Sequence, residues 1–170
     1  MSEVAILPSV RSFLDGGQRV LVGRDWLAAP SNTMIDVINP ADGKAISAIG
    51  ESAPEDVGRA VRAARAPFED GPWATMKPNE RARIIFRIAE LMEARAEDLA
   101  QIETLDNGKP INYARGDVAA SIGAMRYYAG WTDKIHGSTH SVSMPGDFHT
   151  YTIKEPVSVV ALVVPWNFPW

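Results

Sequence analysis

The chain contains no cysteine in its 170 residues, and this absence limits the chemistry that the polypeptide can perform. Disulfides, thiolate metal sites and cysteine nucleophiles are all excluded within these residues. The glycine-rich phosphate loops GxGxxG and GxxxxGK[ST] are also missing from the sequence. Any catalytic role that needs a thiol must therefore draw it from outside this polypeptide.

A surplus of basic charge and a long hydrophobic run are missing as well. The 17 Lys and Arg residues are mixed among 21 Asp and Glu residues, which leaves a net charge of −4 and no basic stripe that could follow phosphates. The longest apolar run, Val157 to Val164, is far shorter than the ~20 residues of a spanning helix. The N-terminus carries Glu3 where a signal peptide would carry positive charge. We therefore expect a cytoplasmic globular protein with no nucleic-acid or membrane partner.

Hydrophobic periodicity and turn residues predict a mixed helix and strand layout. A short helix is predicted from Val4 to Leu14, and two small hairpins in RVLVGRDWLAA and in MIDVINP with KAISAIGE. Ser52 and Glu55 match a capping box that would begin a helix, with Pro67 near its end. Three more helices are predicted: one after Pro78 with apolar residues Ile84, Ile85, Ile88, Leu91 and Met92, one over 96–106 that ends at Gly108, and one with Val118, Ile122, Met125, Ala129 and Thr132.

The last part of the sequence predicts two strands of different character. DFHTYTIKE has the composition of a half-exposed strand. The aliphatic run from Val157 to Val164 suits a strand buried on both faces of a parallel sheet. Such a strand needs neighbours, and only six residues follow it. We therefore expect the chain to be a fragment of a longer fold.

Most residues whose side chains could take part in catalysis or binding have a plain structural interpretation. The histidines are interpreted as surface residues rather than as a metal pair, and the aromatic residues near position 130 as core packing rather than as a stacking platform for bases. Glu103 and Asp106, one turn apart at a helix end, are interpreted as capping or solvated groups, although an acid there favours a nearby cation. The histidines are His136, His140 and His149, and the aromatic residues are Tyr127, Tyr128 and Trp131.

Asn167 is the strongest candidate for a functional residue. It lies just beyond the C-terminal end of the predicted parallel strand, where open α/β sheets place ligands and catalytic groups. Its side-chain amide could donate a hydrogen bond to a developing oxyanion. The alternative is that Asn167 only forms a turn between Pro165 and Pro169, and the residues alone leave both interpretations open.

Several segments in order resemble the aldehyde dehydrogenase superfamily. They are INPADGK, GPWATMKPNERARIIFRIAELMEARAEDLAQIE, IETLDNGKP, RYYAGWTDKIHG and EPVSVVALVVPWNFPW. The resemblance covers nearly the whole chain from about Val20 onward. It implies the N-terminal part of an α/β fold in which hairpins and helices pack on a Rossmann-like parallel sheet, here incomplete.

The family layout divides the chain into four parts. Residues 1–18 would form an N-terminal helix, and residues 19–140 the N-terminal part of the NAD-binding domain. Residues 141–155 would form an oligomerisation strand that helps to build a homo-oligomer, a dimer or a tetramer, in the intact enzyme. Residues 156–170 would hold the first strand of the Rossmann-like core, truncated.

The resemblance also implies roles for individual residues. Asn167 resembles the asparagine whose amide holds the oxyanion of the thiohemiacetal, and Phe168 an aromatic residue of the substrate tunnel. Three residues resemble those that line the nicotinamide dinucleotide, NAD or NADP, and three others resemble a monovalent cation site. The first set is Val164, Pro165 and Trp166, and the second is Val37, Ile38 and Asp106.

Two departures from the family pattern bear on function. Ser158 stands where the family usually has glycine and is expected to crowd the strand. The family's nucleophilic cysteine and general-base glutamate have no counterpart in this chain, so we predict that these 170 residues alone are inactive. The alternative function is a non-catalytic protein that binds full-length paralogues. The substrate aldehyde is not specified: AILPSVRSFL is similar to phenylacetaldehyde dehydrogenases, which slightly favours an arylacetaldehyde, whereas the middle of the chain resembles betaine-aldehyde and general types equally.

Overall fold

The computed structural model describes residues 5–16, 19–27 and 34–169, which form six helices and six short strands. The strands make three separate two-stranded antiparallel sheets, and no parallel sheet occurs among the described residues. The predictions that concern Val4, Ala28, Ala29 and Trp170 fall outside the described residues. The predicted mixture of helices and hairpins is confirmed in this part of the chain.

Both predicted N-terminal hairpins are present. Strand β1 (Val20–Val22) pairs with β2 (Asp25–Leu27) across a turn in which Gly23 has a φ of 65°. Strand β3 (Met34–Ile38) pairs with β4 (Ala45–Gly50), with an irregular register between Val37 and Ile38. The turn is closed by Gly43, whose amide donates to the Asn39 carbonyl at 2.8 Å.

The first helix, α1 (Pro8–Asp15), is docked on the helical part of the chain. It buries Val10 and Leu14. Its start is held by Gln101, whose Oε1 accepts from the Leu7 amide at 2.9 Å, and by a 2.8 Å hydrogen bond from Ser9 to Asp98. Its end is held by Ser47, which donates to the Leu14 carbonyl at 2.9 Å. The prediction of a short docked helix is confirmed.

The second helix, α2 (Pro54–Glu69), begins one residue later than the predicted capping box requires. Its N-cap is Ala53, not Ser52, and Asp56 rather than Glu55 reaches back to accept from the Ala53 amide at 3.1 Å. Proline is favoured at the first helical position, so Pro54 fixes the start. Pro67 lies inside the last turn, and the helix ends two residues later, close to the predicted boundary.

The main core lies among three helices. A short turn of helix, α3 (Pro72–Thr75), leads to α4 (Pro78–Ala94), α5 (Ala96–Asn107) and α6 (Ile111–Ala129). Mostly small side chains fill the contact between them, which lets the helix backbones approach closely. The buried cluster consists of Ala89, Ala100, Ala114, Val118 and Ile122.

The apolar face predicted for α4 is only partly buried. Ile85 and Met92 are half-buried, whereas Ile84, Ile88 and Leu91 remain more than 40% exposed. Periodicity fixed which residues share a face of this helix, but the small residue Ala89 makes the fully buried contact. The apolar face of α4 is therefore only partly covered by the other described residues.

The predicted strand DFHTYTIKE is reduced to a single short pairing. Strand β5 (Thr139–His140) pairs with β6 (Thr150–Tyr151), and the other residues of the predicted strand have no ladder partner. The ladder is closed by a hydrogen bond from the Thr152 amide to the Ser138 carbonyl at 2.9 Å. Gly137 lies so close to Thr152 that a Cβ atom at this position would be 1.7 Å from the Thr152 carbonyl oxygen.

The predicted buried strand from Val157 to Val164 is not formed. No residue of this run belongs to a strand, and Val157, Leu162 and Val163 are almost fully exposed. A strand needs a neighbour to satisfy its backbone amides and carbonyls, and no other described segment lies alongside as a ladder partner. The run has the composition of a core strand, but most of its side chains are exposed to solvent.

Candidate functional site

The predicted site residue Asn167 lies in a turn that is exposed to solvent. The Phe168 amide donates to the Pro165 carbonyl at 3.3 Å and closes this turn. The side-chain amide of Asn167 makes no hydrogen bond to another described residue, so it is available as a donor. Trp166, beside it, is 81% exposed.

Lys109 joins this turn to the helical part of the protein. Its ammonium donates to the Asn167 carbonyl at 2.8 Å, across 58 residues of sequence. The same ammonium lies 4.3 Å from the centroid of the Phe168 ring, in a cation–π arrangement. Two of the predicted site residues, Asn167 and Phe168, are therefore placed by one lysine that the sequence analysis did not single out.

Two carboxylates hold Lys109 from the opposite side. Its ammonium donates to Oε1 of Glu103 at 2.5 Å and also to Oδ2 of Asp117. Burial lowers the pKa of Lys109, but the hydrogen bonds to Asp117 and Glu103 outweigh it, so the pKa lies above its usual value. The lysine is therefore charged throughout the physiological range.

Glu103 corrects one of the sequence-based interpretations. It was expected to be a capping or solvated group, but it is 1% exposed and sits inside the contact of α5 with its neighbours. A carboxylate is tolerated there because Lys109 supplies the opposite charge. Its second oxygen, Oε2, is buried without a protein partner, as are polar atoms of Thr104, Asn107 and Ser158. Asp106, by contrast, is exposed, as expected.

The local structure around Lys109 explains its fixed position. Helix α5 ends at Gly108, which adopts the left-handed conformation with a φ of 79°, as predicted for this glycine. The next amide, that of Lys109, donates to Oδ1 of Asn107 at 2.9 Å. Pro110 then precedes α6, which carries Asp117. The loop between two packed helices thus aims the lysine at the turn.

The segments that carry the residues predicted for a cation site approach each other at Pro40 and Gly108. The turn that follows Val37 and Ile38 lies against the end of α5, where a Cβ atom on Gly108 would be 2.8 Å from Cγ of Pro40. Asp106 lies in the last turn of the same helix. The described residues contain no group of three or more His, Cys, Asp or Glu side chains that could hold a metal ion. A monovalent ion at this place would depend mainly on backbone carbonyls.

The remaining candidates are exposed to solvent. Val164 and Trp166 are exposed in the irregular segment before Asn167. The three histidines are exposed, and His149 makes an edge contact with Tyr151 at 5.6 Å between ring centroids. Tyr127 contacts both Tyr128 and Trp131, but all three residues are exposed, so the prediction of core aromatic packing is wrong.

Lys109 and Asp117 are the site residues that sequence reasoning missed. The available signal was weak: a lysine directly after a helix cap, with acids six residues before and eight residues after it. Only the packing of α5 against α6 brings these three side chains together.

Comparison with known proteins places this arrangement in a family. Residues 26–170 match the profile described as the aldehyde dehydrogenase family. The chain belongs to the aldehyde dehydrogenase family. It is 45% identical over 150 residues to an aldehyde dehydrogenase from Emericella nidulans, a match that covers 88% of this chain and 30% of that protein.

Solved structures agree with this assignment. A variant of the aldehyde dehydrogenase from Bacillus cereus superposes with a TM-score of 0.92 at 41% identity, and the match covers 99% of this chain and 34% of the other. An NAD⁺ complex of the aldehyde dehydrogenase from the same organism gives a TM-score of 0.85 at 39% identity, covering 92% and 32%. The chain thus spans about a third of the length of the relatives that it matches. Its fold is that of the N-terminal part of this family.

One further property concerns membranes. Among residues 5–16, 19–27 and 34–169, no helix is both long enough and apolar enough to cross a bilayer.

Proposed function

We propose that this chain forms the N-terminal part of an NAD-dependent aldehyde dehydrogenase, which oxidises an aldehyde to a carboxylic acid. The observation that carries the proposal is the exposed side-chain amide of Asn167, which has no hydrogen-bond partner among the described residues and lies on a turn that Lys109 ties to the helical part. An oxyanion donor must be held in place before the reaction and must have no competing partner. Asn167 meets both requirements.

In this reaction the side-chain amide of Asn167 donates to the oxygen of the aldehyde as it gains negative charge. That charge develops when a cysteine thiolate, which this chain does not contain, attacks the carbonyl carbon. Bound NAD would accept the hydride from that carbon, and water would then release the acid from the thioester. Phe168, next to the donor, would contact the apolar part of the substrate.

Val164, Pro165 and Trp166 are proposed to contact the nicotinamide dinucleotide, either NAD or NADP. Val164 and Trp166 are exposed and apolar, and the segment is irregular, so both side chains and backbone are available for contact. The NAD⁺ complex of the Bacillus cereus enzyme supports a dinucleotide as ligand of the family. The residues present fit such a ligand.

Val37, Ile38 and Asp106 are proposed to hold a monovalent cation. The packing of Pro40 against Gly108 supports the proposal, because it brings the two segments together. Backbone carbonyls and one carboxylate are hard oxygen donors, which suit an alkali cation better than a transition metal.

The division at residues 1–18, 19–140, 141–155 and 156–170 is also proposed, with residues 141–155 helping to form a homo-oligomer of the intact enzyme in the cytoplasm.

The second candidate function is a non-catalytic protein that binds full-length paralogues. The exposed apolar side chains of Val157, Leu162 and Val163 favour it, because such a surface needs a partner. The two functions differ in whether the side-chain amide of Asn167 is needed for activity.

The test uses a chimera in which this chain replaces the matching third of the Bacillus cereus enzyme. We expect Asn167→Ala, and also the isosteric Asn167→Asp, to lower kcat by on the order of 10²–10³, the cost of one oxyanion donor. The affinity for the dinucleotide should change little. The matched control is Asn112→Ala, on the exposed surface of α6. An unchanged kcat in both Asn167 variants would mean that Asn167 only forms the turn.

The 170-residue chain alone should give no NAD reduction, because it has no thiol to attack the aldehyde. Spectrophotometry at 340 nm measures this, with the active chimera as the positive control. Reduction that scales with the concentration of the purified chain would contradict the proposed roles.

A further inference from the structure

The turn at residues 165–169 is linked to the helical part by polar contacts of Lys109. Among the described residues, the hydrogen bond and the ion–ring contact that join this turn to the helices both come from Lys109. The other hydrogen bond of the turn, from Phe168 to Pro165, is internal to it. The position of Asn167 therefore depends on Lys109.

We propose that Lys109 is a positioning residue for Asn167: it fixes the carbonyl of that residue, and packs on Phe168, so that the Asn167 amide is held toward the reacting oxygen. The inference rests on the proposed role of Asn167 as an oxyanion donor. It assigns a function to the Glu103, Lys109 and Asp117 cluster, which the reaction itself does not use.

The hydrogen-bond capacity of Lys109 matches its surroundings. A lysine ammonium has three donors and no acceptor. The three acceptors in contact with it are Oε1 of Glu103, Oδ2 of Asp117 and the Asn167 carbonyl. The first two lie on α5 and α6, which pack together through the buried core. The third donor is therefore directed at the turn by a rigid support.

The charges explain why a neutral residue could not replace the lysine. Glu103 is buried and Asp117 is half-buried, so the cluster without Lys109 would hold two carboxylates and no cation. Two such charges would repel the negative end of the Asn167 carbonyl dipole. Loss of Lys109 should therefore release the turn rather than leave it in place. Lys109→Arg keeps the charge and several donors and should preserve part of the attachment.

The geometry is tested by placing 4-fluorophenylalanine at position 168 and recording ¹⁹F NMR of the 170-residue chain, at concentrations where it is monomeric by size-exclusion chromatography. The ring under the ammonium should give a shift distinct from that of the urea-denatured chain. In Lys109→Met the signal should move to the denatured value while circular dichroism keeps the helical spectrum. Lys154→Met is the control, because Lys154 is exposed and has no hydrogen bond or ion pair with another described residue. Lys109→Arg should restore part of the shift.

A wild-type signal equal to that of the denatured chain would overturn the proposal, even if Lys109→Met failed to fold. An unchanged signal in a folded Lys109→Met would also overturn it. These readouts do not depend on turnover, so they stand apart from the function proposed for Asn167. Asn167→Ala keeps the carbonyl and should leave the ¹⁹F signal close to the wild-type value.

Kinetics of the chimera then separate the two proposals. Lys109→Met should lower kcat about tenfold, less than Asn167→Ala, and leave KM for the dinucleotide nearly unchanged, because it displaces the donor without removing it. A fall in kcat for Asn167→Ala with none for Lys109→Met would overturn the positioning role alone. No effect of Asn167→Ala would instead overturn the proposed function of Asn167.

Discussion

The helical part, α4 to α6, buries apolar side chains, whereas the C-terminal segment, residues 156–169, exposes them. The helices bury Ala89, Ala100, Ala114, Val118 and Ile122 in one cluster. Val118 of this cluster is 1% exposed, whereas Val163 of the C-terminal segment is 94% exposed. Similar side chains therefore stabilise one region and leave the other uncovered.

The difference arises from where each element finds its hydrogen-bond partners. A helix closes its backbone hydrogen bonds within four residues, so α4 to α6 need only pack their faces together. A strand needs a second strand alongside it. Residues 157–164 have no such neighbour among the described residues, and Lys109 supplies a hydrogen bond from the helices to the turn that follows them.

The largest expected effect comes from removing the C-terminal segment. We predict that the 170-residue chain self-associates, because residues 157–164 expose an apolar, uncharged and proline-free run with unpaired backbone groups. Deletion of residues 156–170 should convert the self-associated chain to a monomer and keep the helices. Size-exclusion chromatography at matched concentration measures the first effect, and circular dichroism the second.

A point substitution provides the control for this deletion. Val163→Glu keeps the length and should also reduce self-association, because one charge in the exposed run opposes intermolecular strand pairing. A monodisperse, cooperatively unfolding monomer from the unmodified chain would contradict the prediction and would mean that residues 157–164 are covered in solution.

The second prediction compares the two valines directly. Val118→Ala should reduce the free energy of unfolding by about 1–3 kcal/mol, because it removes buried methyl groups and leaves a cavity. Val163→Ala should change it by less than about 0.5 kcal/mol, because its side chain is already in water. Urea unfolding followed by circular dichroism measures both. Equal losses in the two variants would show that the two regions are packed alike.

Sequence patterns predicted the helical part well because its determinants are local. The spacing of apolar residues identified α4 and α6, although α6 ends at Ala129, before the predicted Thr132. Gly108 was correctly predicted to end α5 with a left-handed residue. The error at α2 was a shift of one residue, since Ala53 replaces Ser52 as the N-cap. Alternative caps a single residue apart have similar energies, which limits the prediction of helix ends.

The candidate site was predicted only in part because its determinants are distant in sequence. Asn167 was identified from its place after an apolar run and from the family resemblance. Lys109 was not, since its partners lie 6, 8 and 58 residues away and meet only after the helices pack. Burial of Glu103 was missed for the same reason: an acid near a helix end is usually solvated.

The third prediction concerns strain in the C-terminal segment. Ser158 has a φ of 96°, a conformation that favours glycine, and its Oγ is buried without a partner. Ser158 was expected to crowd a strand. In the structure its unfavourable feature is the backbone conformation instead. Ser158→Gly should therefore stabilise the segment by about 1 kcal/mol, through relief of strain and of an unsatisfied hydroxyl.

The stabilisation by Ser158→Gly is measured from amide exchange of the C-terminal segment, which reports local opening directly. Ser143→Gly is the matched control, because Ser143 is exposed and has no positive φ. It should be neutral or slightly destabilising. Faster exchange in Ser158→Gly would mean that residue 158 does not adopt the left-handed conformation in solution.

The smallest effect concerns an ion pair on the helical part. Arg115 donates to both oxygens of Glu97, each at 2.7 Å, and these hydrogen bonds lower the pKa of Glu97 below its usual value of 4.5. A carboxyl group with a lowered pKa stabilises the fold above its unfolded pKa. That contribution is lost as the pH falls from about 4.5 through the lowered value. The pair is partly exposed, so solvent screening limits the contribution to about 0.5 kcal/mol.

Glu97→Gln should remove this acid-dependent contribution and leave the rest of the stability profile intact. The free energy of unfolding of wild type and variant, measured by urea at pH 7 and at pH 3, should therefore differ at pH 7 and converge at pH 3. Glu155→Gln is the control from the C-terminal region, because Glu155 is exposed and has no ion-pair partner among the described residues, and it should show no such convergence. If both variants behaved alike, charge pairing would contribute equally in the two regions, and packing alone would separate the ordered helices from the exposed segment.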